Sequence, residues 1–415
     1  MTRRHALACA VLLAGCASSR GATSSSTTPM TVPVVTPRAL SVYHDAYVID
    51  THNDMPSKML DDGYDPDVRH PAGFGAKEGN TDLPRLVESG ITAQFMSAWV
   101  DSPYAKTPGA SYARALQYVD VIHAFVKRHP ERLTFATTAA EVRRAKQDGK
   151  VAVFIGLEGG HAIEGSLERL RDLYGRGVRY MTLTWNNGNT WAGSSIGVDG
   201  SRQGGLTDFG RTVIREMNRL GLLVDLSHVS DSTFFDAIAA SSAPIIASHS
   251  SARALNDVPR NLSDDQLRAV AKNGGVVNVN FYSRFLDPEF RSRVDALDAT
   301  IAAERRAARA APGTDTATVM TRIDARRDSV FAAIPPTPFH VLIDHFDHIA
   351  KVAGVDHVGI GSDFDGVSAL PSGMEDVTRL PRIAQALLNR GYSDANVAKM
   401  LGGNMMRVMS VVLKP

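Results

Sequence analysis

The sequence predicts a (β/α)8 barrel, an α/β fold in which eight parallel strands alternate with helices. Apolar, β-branched runs recur along the 415 residues, at 46–51, 91–99, 151–157, 178–184, 222–227, 243–248, 275–281 and 357–362. Amphipathic stretches typical of helices lie between several of them, at 111–128, 139–148, 166–176, 207–220, 231–240, 263–272 and 337–353. This alternation favours a parallel sheet, and eight runs fit a closed barrel. A doubly wound open sheet is the alternative, but no Gly-x-Gly-x-x-Gly follows the first run.

The bulk composition is that of an ordinary globular protein, with 44% hydrophobic and 21% charged residues. The formal net charge of +1 indicates neither nucleic-acid binding nor a polybasic membrane contact, so we expect no nucleic-acid partner. Beyond the N-terminal leader, no apolar run reaches the roughly 18 residues that a membrane-spanning helix needs.

The first residues are typical of an export signal. Arg3 and Arg4 precede an apolar run over 6–13, and a Leu-Ala-Gly-Cys sequence follows, ending at Cys16. This ending resembles the lipobox of bacterial lipoproteins, which implies removal of a signal peptide, 1–15, and lipidation of Cys16. A plain signal peptide with a chance cysteine is the alternative. Because no Asp follows the cysteine, we expect a lipid anchor to the cell envelope, on the periplasmic side of the outer membrane.

The segment 16–42 begins with a stretch rich in Ser, Thr, Gly and Pro, which predicts a flexible tether. We expect the barrel domain to occupy 43–415. Cys9 and Cys16 are the only cysteines in the sequence, so the barrel domain has no disulfide. Any metal site in that domain must therefore use His, Asp and Glu.

The body is longer than the roughly 250 residues of a minimal barrel. Two segments hold the excess. Residues 55–82 are rich in Gly, Asp, Pro and His and are expected to form a loop after the first strand. Residues 286–335 are rich in Arg, Ala, Asp and Glu and are expected to form a helical insertion before the last strand.

The first predicted strand ends in a His-x-Asp motif, His52 and Asp54. Side chains two residues apart on a strand share a face, so this pair projects together from the strand end. Imidazole nitrogen and carboxylate oxygen are both ligands for zinc and related divalent ions. The motif alone is weak, because His and Asp occur at this spacing by chance.

Ligand-type side chains also follow four other predicted strands: Glu158, His228, His249 and Asp363. In barrels of this kind the chemistry lies at the C-terminal strand ends, so these side chains point to one rim. Each has an ordinary alternative, such as a hydrogen-bonding histidine, a turn carboxylate or a helix cap at Asp363. Their coincidence at one rim favours a metal site.

Several motifs follow one another in a fixed order: IDTHND at 49–54, EGGH at 158–161, DLSH at 225–228, SHSSA at 248–252, PRNL at 259–262, GIGSDFDG at 359–366 and GNMMRV at 403–408. In these the chain resembles the renal (membrane) dipeptidase family, peptidase family M19, over nearly the whole body. The resemblance implies a barrel carrying two zinc ions per chain. It assigns His52 and Asp54 to one ion, His228 and His249 to the other, and Glu158 to a bridge between them.

The chemistry that the resemblance implies agrees with the nature of these side chains. A carboxylate has two oxygens and can span two metals, which together yield a bridging hydroxide at neutral pH. We expect Asp363 to carry a proton from this water to the leaving amine and to contact the substrate. The resemblance implies that Arg260 binds the C-terminal carboxylate of the substrate. A planar guanidinium group is suited to bind a carboxylate. A surface arginine is the alternative.

One position departs from the family pattern. Better-known members have a histidine after the Leu-Thr of the fourth strand, where it helps to bind the scissile group, whereas this chain has Trp185. An indole NH donates one hydrogen bond but cannot exchange a proton in this role. Oxyanion stabilisation would then fall to the metals, to Trp185 or to a nearby Asn, and the range of substrates is in question. His161, close to the cluster in sequence, is interpreted as a structural or supporting residue.

These observations predict a zinc-dependent dipeptidase that hydrolyses free dipeptides. The resemblance extends this to dipeptides with a C-terminal D-residue, and some members of the family open β-lactam rings. One alternative is a related binuclear-metal amidohydrolase that acts on another amide or a lactone. A second is a catalytically weak envelope binding protein. Members of the family often form homodimers, and no feature of this sequence decides that point.

Overall fold

The computed structural model describes residues 32–198, 201, 204–311 and 316–414. Nine strands occur in this part of the chain: β1 (Ile49–Asp50), β2 (Ala93–Trp99), β3 (Leu133–Phe135), β4 (Val151–Glu158), β5 (Val178–Thr182), β6 (Leu223–Asp225), β7 (Ile246–Ala247), β8 (Val276–Val279) and β9 (Val358–Ile360). Eight of them close into a parallel barrel in the order β1, β2, β4, β5, β6, β7, β8, β9, with β9 pairing back to β1. The predicted (β/α)8 barrel is confirmed, and each of the eight predicted runs coincides with one barrel strand.

The ninth strand, β3, was not predicted. It pairs with the first residues of β4, with Leu133 opposite Val151. From Ile155 onward, β5 pairs with the same edge of β4. Three residues are too few to give a periodic signal, and the position of β3 depends on its neighbour rather than on its own sequence.

Helices cover the outside of the barrel: α1 (Pro37–Asp45), α2 (Met55–Asp61), α3 (Leu83–Glu88), α4 (Ala110–Arg128), α5 (Ala139–Gln147), α6 (Leu167–Gly175), α7 (Asp208–Leu220), α8 (Asp231–Ala240), α9 (Asp264–Asn273), α10 (Ser283–Leu286), α11 (Pro288–Ala310), α12 (Thr316–Ala332), α13 (Phe339–Ala353), α14 (Pro381–Asn389), α15 (Asp394–Ala398) and α16 (Asn404–Val412). The seven predicted helices are all present. The start of α9 is a capping box, in which Ser263 and Gln266 each bond the other's backbone N–H.

Three segments differ from or refine the predictions. The segment 16–42, expected to be a tether, contains the start of α1, which begins at Pro37 and is capped by the Thr36 side chain. The segment 55–82, expected to be a loop, begins with α2. The segment 286–335 is helical, as α11 and α12. Cys16 and the predicted signal peptide lie outside the described residues.

The lower half of the barrel interior is filled with side chains, so the site lies on a solid floor. Phe95 stacks on Phe154 at 4.6 Å between ring centroids and on Tyr180 at 5.5 Å, and all three are fully buried. A Cβ at Gly156 would lie 1.9 Å from the Tyr180 ring, so only glycine leaves room for it. Methionines of α16 close the bottom of this cluster. In the described part of the chain, no helix combines the length and apolarity that crossing a bilayer requires.

Candidate active site

The first half of the site follows β1. His52 and Asp54 share a face, as predicted, with His52 Nε2 3.2 Å from Asp54 Oδ2. Asn53 between them forms a parallel bridge to Phe364, which ties this strand end to the one after β9. His52 is fully buried, and its Nδ1 lies 2.7 Å from the Tyr180 hydroxyl. Burial would lower the pKa of His52, but Tyr180, Glu158 and Asp54 together raise it well above its ordinary value, so a metal bound at Nε2 would take the place of a proton.

Glu158, the last residue of β4, lies between the two groups of ligands. Its Oε2 is 3.4 Å from His52 Nε2. Its Oε1 is 2.8 Å from His228 Nε2 and 3.5 Å from His249 Nε2. The two carboxylate oxygens therefore face different histidines, which is the arrangement a bridging carboxylate requires.

The second pair of ligands, His228 and His249, follows β6 and β7. His228 Nδ1 lies 3.0 Å from the Asn186 amide oxygen, so this nitrogen donates. His249 Nδ1 lies 2.8 Å from the Ser248 hydroxyl, whose proton goes to Asp225 at 2.6 Å, so Nδ1 donates here as well. Both Nε2 atoms then carry lone pairs.

The two Nε2 lone pairs face each other at 2.9 Å. In these tautomers neither Nε2 atom carries a proton, so the two atoms cannot form a hydrogen bond with each other. A cation bound by both nitrogens removes this repulsion, and the donor set of imidazoles and carboxylates suits zinc. The residues present therefore fit the metal centre that the sequence predicts.

The pKa shifts of His228, His249 and Glu158 favour the charge states that bind a metal. Burial lowers the pKa of His228 to about 4 and, with the charge of His52, holds the pKa of His249 well below its ordinary value. Burial by itself would raise the pKa of Glu158, but the charge of His52 lowers it well below the usual range. His228 and His249 are thus neutral and Glu158 is ionised, the states in which each binds a metal.

Asp363 follows β9 and completes the rim beside Asp54. Ligand atoms of His52, Asp54 and Asp363 all lie within 4.8 Å of one another. Asp363 has a left-handed backbone, φ 62°, and its Oδ2 accepts a hydrogen bond from Asn280 Nδ2 at 2.7 Å. A Cβ at Gly366 would lie 2.2 Å from Asp54 Oδ2 and 2.5 Å from Asp363 Oδ1, so glycine is needed there. Burial raises the pKa of Asp363 to about 7.

Arg260 lies in the loop after β7 and is only 3% exposed. Its Nη2 donates to the carbonyl of His249 at 3.2 Å, and its guanidinium lies 5.4 Å from the Phe285 ring centroid. Its Nε has no hydrogen-bond partner, and no described carboxylate forms an ion pair with it. Burial lowers its pKa to about 10, which still leaves it charged. No carboxylate contacts this buried cation directly, although Asp363 and Glu158 act on it from a distance, so the position suits an anionic ligand. The surface-arginine alternative is therefore wrong.

A cavity of about 470 Å³ opens above these side chains. Asp54, Glu158, His228, Arg260 and Asp363 all contribute to its walls. The other lining residues come from strand ends and from the segments that follow them: Ser57, Trp99, Trp185, Asn186, Tyr282, Phe285, Asp365, Gly366, Val367 and Ser368.

Trp185 follows β5 and lies at the edge of this cavity. Its ring is half-buried and lies 6.5 Å from the His228 ring and 5.2 Å from the Trp99 ring, edge to face. His161 is different, because it is buried behind Glu158, lies against the backbone of Gly159 and is absent from the cavity wall. A structural position agrees with the interpretation of His161 from sequence.

Five supporting residues were not predicted as such: Tyr180, Asn186, Asp225, Ser248 and Asn280. They orient the ligands and Asp363 by the hydrogen bonds given above. The sequence did contain a signal for Asp225, because this residue begins the DLSH motif at 225–228 that ends in His228. Tyr180 and Asn280 lie within the predicted apolar runs 178–184 and 275–281. Such runs are typical of core strands, so no sequence pattern distinguished these two residues.

The comparisons with known proteins agree with this geometry. The sequence model described as "Membrane dipeptidase (Peptidase family M19)" matches residues 36–414. The probable dipeptidase PvdM from Pseudomonas aeruginosa has 26% sequence identity and a TM-score of 0.76, over 91% of this chain and 98% of that chain. The metallo peptidase called dipeptidase AC has 28% identity and a TM-score of 0.69, over 89% and 99%.

A metallo peptidase from Rhodobacter sphaeroides, liganded with a phosphinate mimic of the dipeptide L-Ala-D-Ala, has 26% identity and a TM-score of 0.68. The match covers 88% of this chain and 99% of that chain. With the family matched over nearly the whole chain and the ligand cluster in place, this chain belongs to the membrane dipeptidase family, peptidase family M19, and is a metallopeptidase of the dipeptidase type.

Proposed function

We propose that this chain is a zinc dipeptidase that hydrolyses the peptide bond of free dipeptides. The observation that carries the proposal is that one cavity holds both the carboxylate–imidazole cluster and the buried, unpaired guanidinium of Arg260. The cluster suits the scissile bond, and the guanidinium suits a free C-terminal carboxylate. A substrate that joins these two features over one short span is a dipeptide.

The ligand set fits two zinc ions per chain. His52 and Asp54 would hold one, His228 and His249 the other, with Glu158 between them. Bound zinc supplies an activated water at neutral pH and polarises the scissile carbonyl.

Asp363 is the residue that we assign to proton transfer to the leaving amine. Because Asn280 occupies its Oδ2, the proton is taken at Oδ1, which faces Gly366 and Asp54. A carboxyl whose pKa is raised to about 7 takes a proton and gives it up at neutral pH, so Asp363 can then protonate the leaving amine.

A panel of small dipeptides, each with a free and an amidated C-terminus, tests the reaction and the role of Arg260. The free forms should be cleaved at least about 10²-fold more efficiently, since amidation leaves the buried guanidinium unpaired. Equal rates on free and amidated substrates would remove the role of Arg260. No cleavage of any dipeptide by the zinc-loaded protein would reject the proposed function.

Metal analysis tests the number and identity of the ions independently of substrate. After reconstitution with zinc, we expect about two equivalents per chain, as in other paired-metal hydrolases. His228→Ala and His52→Ala should each lower the stoichiometry, whereas His44→Ala, in α1 and remote from the cluster, should not. A wild-type value of one or none would reject the paired centre.

We also propose that C-terminal D-residues are accepted. Support comes from the similar metallo peptidase that holds a mimic of L-Ala-D-Ala. Rates of hydrolysis of L-Ala-D-Ala and L-Ala-L-Ala should lie within about tenfold of each other, because Arg260 binds the C-terminal carboxylate and does not bind the side chain. Cleavage restricted to the L,L form would contradict this part.

The proposed location is the cell envelope, through a lipid on Cys16. The sequence that ends at Cys16 supports this by its resemblance to a lipobox. Labelled palmitate should be incorporated into the wild type and lost in Cys16→Ala, with the protein released from membranes. A membrane-bound, unlabelled wild type would contradict the anchor.

An amidohydrolase acting on another amide or a lactone is the second candidate, and Trp185 is the observation that favours it. The indole replaces a group that helps other family members to bind the scissile bond. Lactones and N-acyl amides included in the same panel distinguish the two, because a dipeptidase should cleave them at least about 10²-fold less efficiently.

A further inference from the structure

We infer that Trp99 and Trp185 form a subsite that selects dipeptides with a large apolar, above all aromatic, N-terminal side chain. The inference rests on the proposed dipeptidase function and names the substrate class of that site. It begins with two half-buried indoles that line the cavity and contact each other edge to face at 5.2 Å. Indole surface left open in a cavity gains free energy when an apolar ligand covers it.

The barrel fixes where these indoles lie relative to Arg260. Trp99 ends β2 and Trp185 follows β5, so the pair flanks β4. In the closed order of eight strands, the strand opposite β4 is β8. The residues after β8 that line the cavity are Tyr282 and Phe285. The cavity therefore has two aromatic walls on opposite sides of the ligand cluster.

Arg260 belongs to the wall beyond β8, since its guanidinium lies over the Phe285 ring. A substrate carboxylate bound there puts the C-terminal residue of the dipeptide on that side. The scissile amide must lie over the cluster around Glu158 and His228, between the walls. The N-terminal residue then extends away from Arg260, toward Trp99 and Trp185.

The indole wall is held rigidly. Trp99 pairs with Glu158 in the register between β2 and β4, and Val100 N–H donates to the Glu158 carbonyl at 3.3 Å. Asn186, the neighbour of Trp185, is held through its amide oxygen by His228. A preformed apolar wall binds a matching side chain without an ordering cost, so it discriminates by size.

Kinetics on three dipeptides test the inference. For the wild type, kcat/KM should rank Phe-Ala above Ala-Phe and Ala-Ala, with Phe-Ala at least about tenfold above Ala-Ala. Trp185→Ala should reduce the Phe-Ala to Ala-Ala ratio about tenfold and change the Ala-Phe to Ala-Ala ratio much less. Trp185→Phe should retain most of the preference, which separates loss of the aromatic surface from misfolding.

The matched control is Phe235→Ala, which removes an aromatic ring that is 44% exposed on α8, away from the cavity, and should leave all three ratios unchanged. If Trp185→Ala lowers kcat/KM by the same factor for all three substrates, the inference is overturned. A selective loss of Ala-Phe also overturns it, since that would put the C-terminal side chain on the indoles.

Binding of non-hydrolysable mimics gives a second readout that needs no turnover. The chain has three tryptophans, and Trp191 is buried outside the cavity wall. A phosphinate mimic of Phe-Ala should change the fluorescence of the zinc-loaded protein and bind at least about tenfold more tightly than the mimic of Ala-Ala. The signal change should shrink in Trp185→Phe.

The two readouts separate the inference from the function beneath it. Hydrolysis of all three dipeptides at similar rates, with equal affinities for the mimics, overturns the subsite and leaves the dipeptidase in place. No hydrolysis of any dipeptide rejects the proposed function, and the mimic affinities then decide the subsite by themselves.

Discussion

Two junctions between neighbouring strands carry the site, and they share one plan. Where β1 meets β9, Asp50 accepts hydrogen bonds from the N–H and the hydroxyl of Ser362, at 2.8 and 2.6 Å. Where β6 meets β7, Asp225 accepts from the N–H and the hydroxyl of Ser248, at 2.7 and 2.6 Å. In each case a buried carboxylate fixes the residue just before a site residue on the next strand.

The junctions differ in how completely the carboxylate is satisfied. Asp225 also accepts hydrogen bonds from Ser227 N–H and the Thr182 hydroxyl. Asp50 also accepts a longer hydrogen bond from the His52 N–H, at 3.3 Å, and interacts with the Gln94 amide, and burial raises its pKa to about 6. The junction that holds His249 is thus the more tightly bonded, and the junction that holds Asp363 is the less so. The β6/β7 junction carries only candidate metal ligands, whereas the β1/β9 junction carries His52 and Asp54 together with the proposed proton carrier Asp363.

The largest effect is expected at Glu158, which ends β4 and lies between the candidate ligands of the two junctions. Glu158→Gln replaces one carboxylate oxygen by an amide NH2, which cannot bind a metal. We expect the zinc content to fall below two equivalents and kcat/KM to fall by at least about 10³-fold, since several kcal/mol of transition-state stabilisation are lost. Metal analysis and dipeptide kinetics measure this. Glu168→Gln, on the exposed first turn of α6, is the control, and retention of two ions by Glu158→Gln would contradict the bridge.

Asp363→Asn addresses the β1/β9 junction alone. Asparagine keeps the shape and the Asn280 contact but cannot carry the proton. We expect kcat to fall by about 10²- to 10⁴-fold with the zinc content unchanged. Stopped-assay kinetics and metal analysis on the same preparation check both halves. A normal rate would reject Asp363 as the proton carrier, and lost zinc would make it a ligand instead.

Asp225→Asn and Asp50→Asn compare the junctions directly. The amide NH2 in Asp225→Asn forces the Ser248 hydroxyl to accept, in competition with His249 Nδ1–H, so we expect zinc affinity to fall about 10- to 100-fold. Asp50→Asn should lower zinc affinity by less than about tenfold and act mainly on kcat. Competition with a chelator measures affinity, and Asp265→Asn, exposed on α9, is the control. Equal losses of affinity would erase the distinction between the junctions.

The smallest effect concerns His345, which secures the loop after β7 from outside the site. Its Nδ1 accepts from Ala252 N–H and its Nε2 donates to the Leu286 carbonyl, each at 3.0 Å, so only the neutral ring fits. Burial lowers its pKa to about 4, against about 6.5 in the unfolded chain. The unfolded state therefore binds the extra proton, and stability is lost as the pH falls from about 6.5 toward 4.

His345→Gln should remove this contribution. In the metal-free protein, the wild type should lose up to about 3 kcal/mol more unfolding free energy than the variant between pH 7 and pH 4.5. Urea denaturation at both pH values measures the difference. Parallel losses in the two proteins would mean that His345 is not the titrating group.

Much of the site was predictable because barrel chemistry collects at strand ends. His52, Asp54, Glu158, His228 and His249 each follow a recognisable apolar run, and parallel closure brings such positions to one rim. The structure brings all five together. Features that depend on contacts across the barrel were not predictable, such as Tyr180 beneath His52. The start of α1 at Pro37 was also not predicted, because it directly follows a stretch rich in Ser, Thr, Gly and Pro.

The sequence by itself determined the eight-stranded barrel, its family and the candidate ligand set, because periodic apolar runs and short motifs are local signals. The tertiary structure alone decided that Arg260 is buried without a counter-ion and that two indoles face two other aromatic rings across the cavity. It also decided that two aspartates fix the strands beside the site to different degrees. These properties arise from burial and from distances between residues far apart in the chain, and no local pattern records them.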